Sequence, residues 1–449
     1  MEWTYKKEKN GGQWILILGC PLKEKHGLAG DDQNISGPTC VDCARCKHQI
    51  GINLHILDEN GDIIECYPER LRCGLLEKER PARSGEAGGD EEGWLNEAKG
   101  YLSGYLSGKR VAILGAGSII GRRLAREAAE YGPKRLILVG HDENGLVKTQ
   151  NELIASYPYL CHEVALADLT DTNDIEHIFH KHEPQILFHT DTWKHLYFTE
   201  NRPLDAVKAN FLTIRGLAEM ADKIGMERFI FISTLKAAYP KLCFSVVHKM
   251  AELYLQEMVT RSRTRFISVR VGNILGEETH FVKFLRKEII EKGTATLPFP
   301  DKGFWFLPSD TAAQLVIKAG GMGEGGEVFS LDKGRRITMK SIAKDLCSYG
   351  AGGVKLMPER DIGFISDASK WDRWLIEELS LEEGPYPEKE KLTAFSHIRI
   401  VETESYGWER LRGEMSELES LVEKQDEKGL IERLKIYFPH YHPESEQKR

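Results

Sequence analysis

Long apolar runs are missing from this sequence. No stretch of its 449 residues approaches the roughly 20 apolar positions that a membrane-spanning helix needs. The first ten residues, Met1 to Asn10, are polar and charged, so the apolar core of a signal peptide is absent there too. Gln13 to Cys20 is apolar but too short for either purpose, and it reads as a strand. The expected location is therefore cytoplasmic. An excess of positive charge is also missing. The net charge is -8, which argues against nucleic acid or an anionic membrane as the main partner. A local basic pocket for a phosphorylated substrate stays open. No internal repeat is visible. Cysteine is scarce after residue 74, where only three of the nine occur, namely Cys161, Cys243 and Cys347. Those three read as ordinary buried thiols.

What is present is an ordinary globular mixture, 41% hydrophobic and 29% charged, with ample material for a core. The length favours two or three units. Composition divides the chain into four segments. Residues 1–78 are Cys-rich, with short strands and turns. Residues 79–93 are polar and rich in Gly and Glu, a linker that cannot bury a core. Residues 94–349 alternate short β-rich runs with helical patterns. Residues 350–449 are expected to form a C-terminal helical or substrate-binding subdomain, with a helix at Trp408 to Glu423 and a polar tail.

The six early cysteines are clustered. Cys40-Val-Asp-Cys43-Ala-Arg-Cys46 precedes a hairpin signal at Asn60-Gly61, and Cys66 and Cys73 follow. An odd total, clustered as C-x-x-C in a chain without an export signal, suggests thiolate metal binding rather than disulfides. Cys43, Cys46, Cys66 and Cys73 can close a tetrahedral zinc site. The triple Cys40, Cys43, Cys46 also fits three corners of an iron–sulfur cluster, with a fourth from Cys20, Cys66 or Cys73. A metal-free reduced module is the third alternative.

The runs Arg110 to Leu114, Arg135 to Val139, Gln185 to His189, Phe229 to Ile232 and Phe266 to Arg270 read as parallel strands of βαβ units. The first leads into Gly115-Ala-Gly117-Ser118-Ile-Ile-Gly121, and a helix is expected over Arg122 to Tyr131. Glycine at the strand exit permits the tight turn, a small second residue admits a pyrophosphate, and the last glycine lets helix and strand pack closely. Strand before and helix after is the context that makes the pattern specific. The fold expected is thus an α/β Rossmann-type parallel sheet with helices on both faces, binding NAD or NADP. It would be followed by a C-terminal α/β substrate subdomain and preceded by a small Cys-rich metal-binding module. An acid should end the next strand to hold the adenosine ribose. Gly140 stands there, followed by His141-Asp142-Glu143. Asp142 reaching in from the loop is one explanation. Loss of the acid near Arg122 and Arg123, favouring a 2′-phosphate, is another, and decayed dinucleotide affinity is a third. Asp168 either meets the adenine edge or caps a helix over Asp171 to Phe179.

At this point the chain resembles a family, the extended short-chain dehydrogenases that act as UDP-N-acetylglucosamine 4,6-dehydratases in polysaccharide and glycan biosynthesis. The likeness runs from about Gly108 to Tyr441. It is carried by Gly108 to Gly115, Leu136 to Asn144, Phe188-His189, Trp193-Lys194-His195, Pro203 to Asn210 and Phe231-Ile-Ser-Thr234. It continues through Ala251-Glu-Leu-Tyr254, Val269 to Gly276 and Ala319 to Phe329. The resemblance adds His141, Asp142, Asp168, Leu169, Thr190, Lys194 and Asn210 to the cofactor set. It offers His195, Arg270 and Asn273 for substrate, and Thr234, Lys236 and His248 for catalysis. The implied reaction is redox-neutral: hydride leaves sugar C4, water is lost across C5 and C6, and hydride returns to C6. It needs a base, an acid for the leaving hydroxyl, and a group gripping the nicotinamide ribose.

The departures fall on that chemistry. Where the family reads Ser-Thr-Asp-Lys, this chain reads Ser233-Thr-Leu235-Lys236. The two ends of the Tyr-x-x-x-Lys pattern are Phe244 and His248. Lys249 is adjacent, but a helix turns about 100° per residue, so it should face elsewhere. The family's Arg in the substrate loop falls on Phe304, its Arg-Pro-Gly-Glu-Lys segment falls on Lys370 to Trp374, and Ser118 replaces a Gly. The expectation is a protein that kept the fold and lost or altered dehydration. Catalysis by a substitute pair, Lys236 and His248, is the alternative. A non-catalytic binding, sensor or scaffold subunit is another, and a homo-oligomer is left open.

Overall fold

A computed structural model describes residues 104–192, 196–275, 300–348 and 388–443. It also describes strand backbone at 4–10, 13–19, 49–57, 63–72 and 363–366, and pieces within 285–297. The N-terminal strands β1 (Thr4–Asn10), β2 (Gln13–Gly19), β3 (Gln49–Leu57) and β4 (Ile63–Arg72) pair in chain order as an antiparallel sheet. The expected hairpin is present as β3 and β4, in a register that sets His55 opposite Cys66. Its turn, the linker 79–93, Cys20, Cys40, Cys43, Cys46 and Cys73, and the side chain of Cys66, lie outside the described residues.

Nine strands form the main sheet. Seven are parallel: β5 (Arg110–Leu114), β6 (Arg135–Gly140), β7 (His162–Leu166), β8 (Ile186–His189), β9 (Arg228–Thr234), β10 (Arg265–Val271) and β14 (Val328–Leu331). Between β10 and β14 in the chain come β11 (Ile274–Leu275), β12 (Thr294–Leu297) and β13 (Gly303–Pro308). Then follow β15 (Arg335–Thr338), β16 (Gly363–Ser366), β17 (Glu390–Leu392) and β18 (Ile398–Val401). The order of the main sheet is β17-β18-β14-β10-β9-β8-β5-β6-β7, with β17 and β18 antiparallel. Strand order reverses at β5, which lies between β8 and β6. Such a switch point opens a crevice at the carboxyl ends of the strands.

The central strands are buried on both faces because helices cover both. On one side pack α1 (Ile119–Ala129), α2 (Glu143–Ser156) and α6 (Ser309–Met322). On the other pack α3 (Thr172–His182), a π turn (Val207–Leu212), α4 (Thr213–Lys223), α5 (Cys243–Met258), α7 (Trp408–Glu423) and α8 (Glu427–Tyr437). The glycine helix α1 begins three residues earlier than its apolar pattern suggests. Ser118 caps it by accepting the Gly121 N–H at 3.1 Å. In α7 the bounds match the sequence reading, and Leu411, Met415 and Leu418 face the core. Each such burial contributes about 1.5–3 kcal/mol.

The described part of the region expected as a C-terminal subdomain joins the main sheet and its core. Strands β17 and β18 extend the main sheet, and α7 and α8 complete one of its two cores. Among the described residues no helix is long and apolar enough to cross a membrane. Cys243 is buried, and burial pushes its thiol well above the ordinary value, while Cys161 is half-buried.

Candidate functional site

The crevice is floored by the Gly115–Gly121 loop. Gly115 has φ +82°, the left-handed region that glycine adopts without strain. A Cβ there would also lie 2.5 Å from Thr190 Oγ1 and 2.9 Å from Asp191 Cβ. Thr190 Oγ1 donates within the loop's frame, with Leu114 O at 3.0 Å and Gly115 O at 3.2 Å. A Cβ on Gly121 would run into Gly115 O, and one on Gly117 would meet Asp142 O at 3.0 Å. The loop is thus held as bare backbone in front of the first turn of α1. That turn carries no acidic side chain, so the positive end of the helix dipole is unopposed. This is a cradle that fits a pyrophosphate.

Around it lie the exits of β6, β7 and β8. His141 Nδ1 is 3.0 Å from Asp191 Oδ2. That hydrogen bond, with charge from Asp191, Asp142 and Asp168, raises His141 above the usual histidine value against the opposing effect of burial. Asp142 occupies the N-cap position of α2 without a side-chain cap bond. Asp168 Oδ1 accepts from Thr170 N at 2.9 Å and Thr170 Oγ1 at 2.8 Å, which lowers its carboxyl. The helix-capping role weighed for Asp168 belongs to Asp171, which accepts from Asn173 N. Leu169 is a core residue. The arginines weighed as 2′-phosphate ligands turn elsewhere. Arg122 meets Glu152 at 3.5 Å, and Arg123 meets Asp310 at 3.3 Å.

Deeper in the crevice, β9 ends at Thr234, whose Oγ1 accepts from Lys236 N at 3.3 Å. Lys236 is buried in the short turn that follows. Leu235, where the family places an acid, is 2% exposed. His248 lies on α5, buried between Phe231 (ring centres 5.9 Å apart) and Phe244 (4.4 Å). Its Nδ1 is 2.8 Å from Phe244 O. A carbonyl can only accept, so Nδ1 carries a proton. Asn210 is buried in the π turn, a rare interruption that often occurs at functional sites. His189 also stacks with Phe231, at 6.0 Å. It is fully buried, and neither ring nitrogen has a hydrogen-bond partner. Burial pulls it down to about 4, so it is neutral. Lys194 and His195 lie outside the described residues.

Two expected substrate residues have other work. Arg270 donates to Glu252 at 2.7 and 2.6 Å and to Glu388. Ser233 Oγ donates to the same Glu252 at 2.7 Å, and Lys249 Nζ lies 2.6 Å from Glu388. Burial pulls Arg270 down, but the two carboxylates outweigh it and hold the guanidinium above its ordinary value. Arg270 is therefore committed to a buried network rather than offered to a substrate. Lys249 is paired with Glu388 and lies 3.9 Å from Glu252. Asn273 Nδ2 donates to Trp305 O at 3.3 Å and so fixes β13. Phe304 is buried within β13 and presents no charge to a pocket. Sequence reasoning assigned no role to Asp191, His189, Glu252 or Glu388. The pairings of Glu388 and Asp191 join distant parts of the chain, and no local pattern announces them.

A family model described as "Polysaccharide biosynthesis protein" matches residues 111–365, more than half of the chain. The chain belongs to this family. It is 32% identical over 258 residues to the probable polysaccharide biosynthesis protein EpsC of Bacillus subtilis, covering 57% of this chain and 43% of that protein. It is 30% identical over 290 residues to the capsular polysaccharide biosynthesis protein CapD of Staphylococcus aureus, covering 64% and 48%. The chain thus spans about half the length of these two relatives. A solved epimerase of Methanothermobacter thermautotrophicus aligns at a TM-score of 0.50 and 17% identity. That alignment covers 74% of this chain and 98% of the epimerase, and it supports the Rossmann-like fold.

Proposed function

We propose that this member of the polysaccharide biosynthesis family binds NAD(P) in the crevice above Gly115 and takes a nucleotide sugar or related nucleotide beside it. We further propose that its standard 4,6-dehydratase activity is lost or altered. The dinucleotide part rests on the bare-backbone cradle of Gly115, Gly117 and Gly121, with Ser118 and Thr190 around it. When bound, the dinucleotide would supply hydride chemistry. The chain's own residues would orient it and move protons.

The observation that carries the loss is Leu235. A buried leucine at the acid's position has no proton to give to a leaving hydroxyl, and a positioned acid typically contributes about 10²–10⁴-fold. The test is incubation with UDP-N-acetylglucosamine, after which a Campylobacter jejuni 4,6-dehydratase, 23% identical over 231 residues, is named. No 4-keto-6-deoxy product above background is expected.

A second reading has its own support. His248 on α5 donates from Nδ1 to Phe244 O, and Lys236 is buried on the neighbouring turn. The two would then serve as a substitute acid–base pair in a dehydratase or epimerase. Ready turnover that disappears in His248→Ala or Lys236→Ala would establish it. A non-catalytic sensor or scaffold is the reading that remains if dinucleotide binds and no sugar nucleotide turns over.

For the N-terminal cysteines we propose one zinc or one iron–sulfur cluster per chain, on their spacing alone. Elemental analysis of protein purified without oxygen separates the two. Finding neither metal, with Cys43 and Cys46 freely alkylated in the folded chain, would dismiss the site.

A further inference from the structure

Two side chains that the fold brings together lie across the mouth of the cradle. Asp191 follows β8 and His141 follows β6, and the strand between those two is β5, whose exit is Gly115. The 3.0 Å bond between His141 Nδ1 and Asp191 Oδ2 therefore spans the exit of β5. Asp191 begins directly against the loop. A Cβ on Gly115 would meet Asp191 Cβ at 2.9 Å and its backbone N at 3.0 Å, so the bare glycine leaves room for this residue.

A carboxylate is a poor neighbour for a cradle that takes an anion. The N-terminus of α1 attracts negative charge, while Asp191 repels it. The imidazole decides the balance. As a cation it neutralises Asp191, and as a neutral ring it leaves one negative charge at the mouth. The bond to Asp191 holds His141 above the ordinary histidine value against burial, and Asp142 and Asp168 add to this from the exits of β6 and β7. Lys208 is the further cation that acts on Asp168. Arg122 and Arg123 are turned to Glu152 and Asp310 instead.

We propose that dinucleotide binding is coupled to protonation of the His141–Asp191 pair: the cradle holds a pyrophosphate when His141 is cationic and releases it more readily once His141 is neutral. The proposal rests on the dinucleotide reading above and adds its regulation. The coupling is reciprocal, so a bound pyrophosphate must in turn favour the imidazolium. The His141 side chain is 69% exposed and that of Asp191 is 22% exposed. Solvent and salt therefore screen the effect, and a change of roughly fivefold in affinity is expected rather than a loss of binding.

Calorimetric titration of the full chain with NAD, from about pH 5.5 to about pH 9, tests the coupling. The pyrophosphate keeps its charge over that range, so a change in affinity reports on the protein. NAD should bind roughly fivefold more tightly at the acid end. His141→Gln keeps a group that can donate to Asp191 but cannot become a cation. It should hold NAD at every pH as weakly as the unaltered chain does at the alkaline end. Asp191→Asn should tighten NAD at the alkaline end and move the midpoint of the change down towards the ordinary histidine value. By NMR, saturating NAD should raise the pH at which His141 titrates in the unaltered chain. An affinity indifferent to pH, or a pH dependence that survives in His141→Gln, overturns the coupling and leaves dinucleotide binding intact. No binding of NAD at any pH overturns both readings together.

Discussion

Replacing Arg270 by Met should expose how strongly the buried charge network holds the end of β9. Arg270 and Glu252 are each 1% exposed, and Glu388 is 19% exposed. The guanidinium makes two bonds to Glu252, at 2.7 and 2.6 Å, and a further contact to Glu388. Methionine fills much of the same volume but leaves both carboxylates without their main cation. Breaking a buried pair in this way costs about 3–5 kcal/mol. Lys249 still lies 3.9 Å from Glu252 and Ser233 still donates to it, so the loss should fall near the lower end. Urea unfolding followed by circular dichroism should show a lower midpoint with an unchanged slope. The difference should also depend on pH. Burial raises Glu388, but its bond and charge with Arg270 outweigh this and hold it below the ordinary 4.5. A depressed carboxylate contributes stability that is present above the unfolded value and lost as the pH falls through the folded one. The gap between parent and variant should therefore close in acid. Adding Glu252→Leu to Arg270→Met should recover part of the loss, since no unpaired charge then remains at that position. A loss below about 1 kcal/mol, or a gap indifferent to pH, would refute the reasoning.

The glycine cradle was legible because its constraints are local. Strand, turn and helix follow one another within a dozen residues, and each glycine answers a contact inside that span or directly opposite it. The parallel strands were legible for a similar reason, since burial on both faces leaves short continuous apolar runs. Helix α7 could be bounded to the residue because its apolar positions recur at three and four. Arg270 could not be read in this way. Its partner Glu388 is 118 residues away, and nothing near Arg270 distinguishes a substrate ligand from a buried ion pair. The same holds for His141 and Asp191, 50 residues apart but joined across β5 by the strand order. How the C-terminal region joins the main sheet is not legible in the sequence, because pairing of β18 with β14 is a tertiary fact. Strand content alone does not say which sheet a strand joins. Family resemblance located Leu235 and His248, yet only the packing shows that His248 has its Nδ1 tied to a backbone carbonyl.

Three further outcomes are expected. Gly115→Val should abolish dinucleotide binding in titration, since a branched side chain at φ +82° would also strike Thr190 and Asp191; retained affinity would remove the cradle. His141 should titrate above the ordinary 6.5 by NMR and fall towards it in Asp191→Asn. Because its folded value is raised, its contribution to stability is complete below 6.5 and is lost as the pH rises through the folded value. The last expectation concerns the missing chemistry. Leu235→Asp places a carboxyl in a site only 2% exposed, where desolvation should hold it protonated near neutrality, as a proton donor requires. His248→Lys supplies the cation that the family keeps on α5. If only these two groups were lost, the double variant should form 4-keto-6-deoxy sugar from UDP-N-acetylglucosamine at about 10²-fold or more above the parent. If dinucleotide still binds and no product forms, the defect extends to the substrate side, where buried Phe304 stands in place of an arginine that could have held a diphosphate. Ready turnover by the unaltered chain, abolished by His248→Ala, would instead show that the imidazole already does the work the replaced groups once did.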